Sequence, residues 1–138
     1  MNKKALIEQL KKDEGFVGYA YSDTRGYLTI GYGTLIDKRG GGIPEDIAGL
    51  LLDRKVDQNI VAVNKALPWL SKHPENVQLA IHNMAYQLGV AGLLKFKISL
   101  ELLRQSRYND CADNLKLSLW FKQTPERALR VINLIRGK

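Results

Sequence analysis

Three side chains near the start of the chain, Glu14, Asp23 and Thr29, are of types that could cut a glycosidic bond. Such a bond breaks when one carboxylic acid protonates the leaving oxygen and a second carboxylate works from the other side of the sugar. Glu14 directly precedes Gly15, and Asp23 leads the run Asp23-Thr24-Arg25-Gly26, so a helix end and a turn would present the two carboxyls. A carboxylic acid at an interface between lobes can lose enough water to serve as a proton donor near neutral pH. An aspartate in an exposed turn stays ionised and can orient a water, and the Thr29 hydroxyl could hold that same water. Spacing alone leaves a plainer reading open. An Asp in a turn is ordinarily a turn residue, and a Glu before Gly is ordinarily a helix end.

The elements that must hold these residues follow from periodicity. Leu6, Ile7 and Leu10 recur at helical spacing within residues 3–13, and Gly15 is a natural stop for that helix. Residues 16–36 switch to alternating Tyr, Thr, Ile and Gly, broken at Ser22-Asp23-Thr24-Arg25-Gly26, which predicts a β-hairpin. Asp37-Lys38-Arg39-Gly40-Gly41-Gly42 reads as a flexible surface loop without a phosphate-loop pattern. Pro44, followed by Glu45 and Asp46, suits the first turn of a helix reaching about Leu67, and a helix of that length spans about 30 Å. After Pro68, the positions Val77, Ile81, Met84 and Leu88 mark a buried helix ended by Gly89 and Gly92. Further helices are expected near 95–105, 109–119 and 125–135, the last opened by Thr124-Pro125-Glu126. The expectation is a single α+β domain with two lobes. A small β-hairpin lobe covers about 13–42, a long bridging helix about 44–67, and a larger helical lobe about 68–138 together with the N-terminal helix. A cleft between the lobes is the natural binding site.

With 138 residues, 45% hydrophobic and 25% charged, the chain can build an ordinary core without a metal or disulfide staple. Cys111 is the single cysteine, which suits a reducing compartment, and it reads as a structural thiol rather than a nucleophile. Charges at Lys3, Lys4 and Glu8 come too early for the apolar stretch of a signal peptide, and no run approaches the roughly 20 apolar residues of a membrane span. Residues 1–69 carry ten Lys/Arg against nine Asp/Glu, while residues 70–138 carry eleven against five. Nearly all the excess of +7 therefore sits in the second half. That suits a polyanionic partner such as nucleic acid or a carboxylate-bearing cell wall, and a simply solvated basic surface remains open.

The strings Asp13-Glu14-Gly15 and Tyr21-Ser22-Asp23-Thr24-Arg25-Gly26-Tyr27-Leu28-Thr29-Ile30-Gly31-Tyr32-Gly33 together resemble the phage-type lysozyme (endolysin) family. Glu14, Asp23 and Thr29 stand nine and then six residues apart, as the family's catalytic Glu, Asp and Thr do. Asn83-Met84-Ala85-Tyr86-Gln87-Leu88-Gly89 is similar to the family's buried helix beside the cleft, and Trp120-Phe121-Lys122-Gln123-Thr124-Pro125-Glu126-Arg127 to its late Trp-x-x-Gln-Thr-Pro-x-Arg segment. The resemblance implies that Leu35, Tyr86, Ser99 and Asn114 contact substrate, that Gln87 lines the cleft, and that Arg127 is the cation near Glu14. It also implies a muramidase acting on bacterial peptidoglycan with inversion. Such an enzyme would be made in the bacterial cytoplasm without a signal peptide and would reach the wall in the periplasm after release. No cofactor, no nucleic acid and no stable membrane insertion are expected, and the protein is expected to be a monomer. Plainer readings stand beside these: Tyr86 and Leu35 as core, Ser99 and Asn114 as solvated helix positions, Arg127 as a surface charge. The sequence departs from the family where Thr34 follows Gly-x-Gly in place of a common His, and where the stretch before the bridging helix is short.

Other chemistry is poorly represented. His73 and His82 lack companions at metal-ligand spacing, no Ser/His/Asp arrangement is legible, and Trp69 and Trp120 read as core anchors rather than sugar platforms. Two further classes remain as alternatives. One is a non-catalytic cell-wall or polyanion-binding module on the same fold. The other is a basic nucleic-acid-binding domain, which lacks any reading motif.

Overall fold

The computed structural model describes residues 1–36 and 41–137, so residues 37–40 of the expected glycine-rich loop lie outside the described residues. The chain divides into two compact units, Met1–Leu51 and Leu52–Lys138.

The first unit opens with α1 (Lys3–Glu14). Its N-terminus is capped by Asn2, whose side-chain oxygen accepts the Ala5 N–H at 3.0 Å. Its C-terminus stops where Gly15 turns to φ +69° and returns its N–H to the Lys11 carbonyl, with Lys11 and Lys12 placed favourably against the helix dipole. Three short strands follow: β1 (Val17–Ser22), β2 (Leu28–Gly31) and β3 (Thr34–Leu35). They form an antiparallel sheet in the order β1-β2-β3. Tyr21 pairs with Thr29, and Thr29 in turn with Leu35, while the β1–β2 register slips between Val17 and Tyr21. The hairpin expected from the alternation is present, and a third strand extends it. That third strand holds two residues, too few to show a period of their own. Its entry is the tight reversal Gly31-Tyr32-Gly33, with both glycines at φ +72°.

Helix α2 (Glu45–Ala66) begins with Glu45 and Asp46 in its first turn, and the division between the two units falls within it. The second unit continues through a single 3-10 turn at Leu70–Lys72, then α3 (Glu75–Leu93), α4 (Lys97–Arg104), α5 (Tyr108–Leu115), α6 (Leu119–Gln123) and α7 (Pro125–Arg136). The expected stop at Gly89 is a break rather than an end. Gly89 leaves helical geometry at φ 73°, ψ 159°, yet the helix resumes and runs to Leu93. Helix α6 was not legible as a separate element, because only the cap Ser118, whose hydroxyl accepts the Phe121 N–H, sets it apart from α5.

The buried hydrophobic core among the described residues lies wholly in the second unit. Helix α3 contributes Val77, Ala80, Ile81, Met84 and Ala85 along one face, and α7 answers with Ala128, Val131, Ile132 and Ile135. Both sets recur at three- and four-residue intervals, the spacing that puts side chains on one helix stripe. Cys111, 1% exposed, belongs to this core, and burial pushes its thiol up to about 12, which leaves it protonated and inert. Trp120 is also core, 5% exposed, with its ring edge-on to Phe96. In the first unit, Thr29 alone is buried among the described residues.

Two histidines sit in this second unit with pKa values below the ordinary 6.5. Burial lowers both, and for His82 the charge of Glu75 offsets part of the effect. The His82 Nδ1 atom is buried without a hydrogen-bond partner among the described residues, so a proton there would be poorly solvated. As pH falls the unfolded chain therefore takes up these protons first, and stability is lost on the acid side of 6.5. Urea midpoints should fall as pH drops from about 7 to 5.5, and His82→Leu should flatten that fall. An unchanged slope in His82→Leu would show that His82 takes up its proton equally in the folded and unfolded states.

Candidate active site

A pocket of about 410 Å³ opens in the first unit, and its lining includes Glu14, Asp23, Thr29 and Leu35 together with Tyr21 and Gly33. Each of the three chemical side chains is delivered by a different element. Glu14 is the last residue of α1, so the glycine that ends the helix also sets where the carboxyl emerges. That carboxyl lies directly over the bare Cα of Gly33, in the β2–β3 reversal.

Asp23 heads the turn between β1 and β2. Its Oδ1 accepts two backbone N–H groups, from Arg25 and from Tyr27, each at 2.8 Å. Its own N–H donates to the Tyr27 carbonyl at 2.9 Å, and Gly26, at φ +83°, closes the turn by donating to the Asp23 carbonyl at 3.0 Å. Both side-chain bonds fall on one oxygen, so Oδ2 receives no hydrogen bond among the described residues and keeps its capacity as an acceptor. Thr29, 2% exposed, donates its hydroxyl to the Tyr27 carbonyl at 3.0 Å. With its proton committed there, Oγ1 can only accept from anything else that approaches.

The remaining expected site residues belong to the second unit, apart from Leu35, which pairs with Thr29 across β2–β3. Tyr86 is 42% exposed and shares a groove of about 460 Å³ with Asn83 and Arg127. Arg127 is held by Asn83, to whose side-chain oxygen its Nε donates at 3.1 Å and to whose carbonyl Nη2 donates at 3.4 Å. Gln87 accepts the Trp120 indole N–H at 3.0 Å and donates to the Thr124 hydroxyl at 3.4 Å, tying α3 to the start of α7. Ser99 is buried rather than solvated, and its hydroxyl donates to Asn114 Oδ1 at 2.6 Å, joining α4 to α5.

Sequence reasoning did not single out Gly33 and Asn83 for these roles. Asn83 precedes Tyr86 by three residues on α3, a spacing that puts both on one face and could have flagged it. Gly33 stands nineteen residues from Glu14, and only the second glycine of Gly-x-Gly hinted at it. Among the described residues no group of three or more His, Cys, Asp or Glu side chains is gathered as a metal site requires.

The family described as Phage lysozyme matches residues 11–133. Probable T4-type lysozyme 1 of Dictyostelium discoideum is 32% identical over 162 aligned positions, covering 95% of this chain and 93% of the relative. Probable T4-type lysozyme 2 of the same organism is 29% identical, covering 94% of this chain and 92% of the relative. The pre-baseplate central spike protein Gp5 of Enterobacteria phage T4 is 30% identical, covering 95% of this chain but 27% of that longer protein.

The turn geometry separates the structural duty of Asp23 from its charge. Asp23→Ala deletes both acceptor bonds and should lower unfolding stability by about 1–3 kcal/mol, at the usual worth of a hydrogen bond. Asp23→Asn keeps an Oδ1 for the same two N–H groups and should lose less than half as much in a urea melt. Equal losses in the two variants would mean that the turn does not depend on this oxygen.

Proposed function

This chain belongs to the phage lysozyme family, and on that premise we propose that it is a muramidase, hydrolysing the β-1,4 bond between N-acetylmuramic acid and N-acetylglucosamine in bacterial peptidoglycan and so leading to cell lysis. The reading rests above all on one observation, the meeting of Glu14, Asp23 and Thr29 on a single pocket.

Glu14 is the general acid. It gives its proton to the glycosidic oxygen as the bond from that oxygen to the anomeric carbon breaks. The incoming water donates one hydrogen to Asp23 and the other to the Thr29 oxygen, whose own proton is already given to Tyr27. Both water hydrogens are then engaged by acceptors, and the remaining lone pair points at the anomeric carbon. As the new carbon–oxygen bond forms, the water proton passes to Asp23, and exchange with solvent returns both carboxyls to their starting states. The step is a single displacement with inversion, for which the two carboxyls must leave about 6.5–9.5 Å for the water. No part of it calls for a metal or a cofactor.

Leu35, Tyr86, Gln87, Ser99 and Asn114 bind the glycan, with Arg127 supporting. Tyr86 offers an exposed ring face to a sugar. Asn114 and Gln87 are already oriented by Ser99 and Trp120, and each keeps an amide hydrogen for the substrate. Charge supports an anionic wall as partner. The first unit holds seven Lys/Arg and seven Asp/Glu, and the second holds fourteen against seven, so the whole excess of +7 lies in the second. That same excess favours the second reading, a wall-binding module without catalysis. No described helix is long and apolar enough to cross a membrane.

A turbidity assay on purified peptidoglycan separates these readings. The wild-type protein should clear the suspension, and Glu14→Gln should lose at least about 10²–10⁴-fold in rate, the usual worth of a general acid, while still binding walls. A Glu14→Gln protein that clears walls within about tenfold of wild type would overturn the assignment of the acid. A wild-type protein that binds walls and never clears them would establish the binding module instead.

A further inference from the structure

The reversal Gly31-Tyr32-Gly33 contains two glycines with the same positive φ, +72° at each. Backbone strain alone would explain glycine at both positions equally. Their surroundings differ. A Cβ placed on Gly31 meets nothing within 4 Å, whereas a Cβ on Gly33 would lie 2.6 Å from Glu14 Oε2, 3.0 Å from its Cδ and 3.5 Å from its Cγ. The space that any other residue would fill at position 33 is the space the Glu14 carboxyl occupies.

We infer that Gly33 is a positioning residue for the acid Glu14, its missing side chain forming the seat on which the carboxyl rests. The inference builds on the reading of Glu14 as general acid. Glu14 is reached at the end of a helix, and its two outer torsions can rotate. A Cβ at position 33 would therefore be relieved by swinging the carboxyl aside, with little effect on the fold. Ordinary contact begins near 3.4 Å, so the carboxyl would have to withdraw by roughly 0.8 Å. A misplacement of about 1 Å at a reacting group costs on the order of 10²-fold in rate. The cost of a side chain here thus falls on turnover rather than on stability.

The test compares Gly33→Ala with Gly31→Ala, which carries the same backbone strain without the contact. Both variants should melt together, below wild type. The kcat of Gly33→Ala on peptidoglycan fragments should fall about 10–100-fold below that of Gly31→Ala with KM unchanged. Asparagine at each position, which accepts left-handed backbone more readily than alanine, serves in the same comparison should Gly33→Ala fail to fold. The effect should also vanish when the acid is shortened. In a Glu14→Asp background, whose carboxyl is drawn back by one methylene, adding Gly33→Ala should cost less than about threefold, a double-mutant coupling that a purely structural role would not produce. Equal kcat in the Gly33 and Gly31 variants, alongside an inactive Glu14→Gln, would overturn the inference and leave the proposed function standing. An active Glu14→Gln would overturn both.

Discussion

One carboxylate oxygen, Asp23 Oδ1, accepts the backbone N–H groups of Arg25 and Tyr27, and the rest of the small unit is arranged around that pair of bonds. They close the turn that joins β1 to β2. The closed turn sets Tyr21 opposite Thr29, and that register places the Thr29 hydroxyl on the Tyr27 carbonyl. The Tyr27 carbonyl then serves two donors, the Asp23 N–H and the Thr29 hydroxyl, so that Asp23 and Thr29 share one backbone anchor. A side chain that had to be flexible to react could not do this. Asp23 divides its oxygens, Oδ1 fixed by two backbone donors and Oδ2 without a hydrogen bond among the described residues.

The two units divide work in a similar way. Burial of apolar side chains, the main source of folding free energy, is concentrated in the helices of Leu52–Lys138. The first unit instead spends its few residues on turns, glycines and a pocket. Its stability comes from capped and hydrogen-bonded backbone, from the Asn2 cap to the Asp23 turn, which is how small elements hold geometry without a core of their own. Glu14 rests on a glycine and Asp23 on a turn, so neither depends on the packing of a neighbouring side chain.

Helix α1 and its end at Gly15 could be read from the sequence, because an amphipathic stripe and a glycine stop are both local signals. The hairpin was legible for the same reason, its turn residues being fixed by the turn type. The third strand, the short helix α6 and the continuation of α3 past Gly89 were not, since each is too short or too context-dependent to carry a period. At the site, spacing alone could not lift Glu14, Asp23 and Thr29 above ordinary helix-end and turn residues. The surrounding motif did so through its likeness to a family. The pairs Ser99–Asn114, Arg127–Asn83 and Glu14–Gly33 were out of reach because they join residues fifteen, forty-four and nineteen positions apart, contacts that exist only once the chain has folded.

The central claim is that Asp23 handles a water rather than attacking the sugar itself. Its Oδ1 is occupied by two backbone donors, and the nearby Thr29 oxygen is available only as an acceptor, an arrangement suited to a water between them. The anomeric configuration of the first product decides the matter. Proton NMR on a β-linked peptidoglycan oligosaccharide, recorded before mutarotation, should show the α-anomer of the new reducing end appearing first. A β-anomer appearing first would mean that configuration is retained through a sugar–enzyme ester, and would contradict the account.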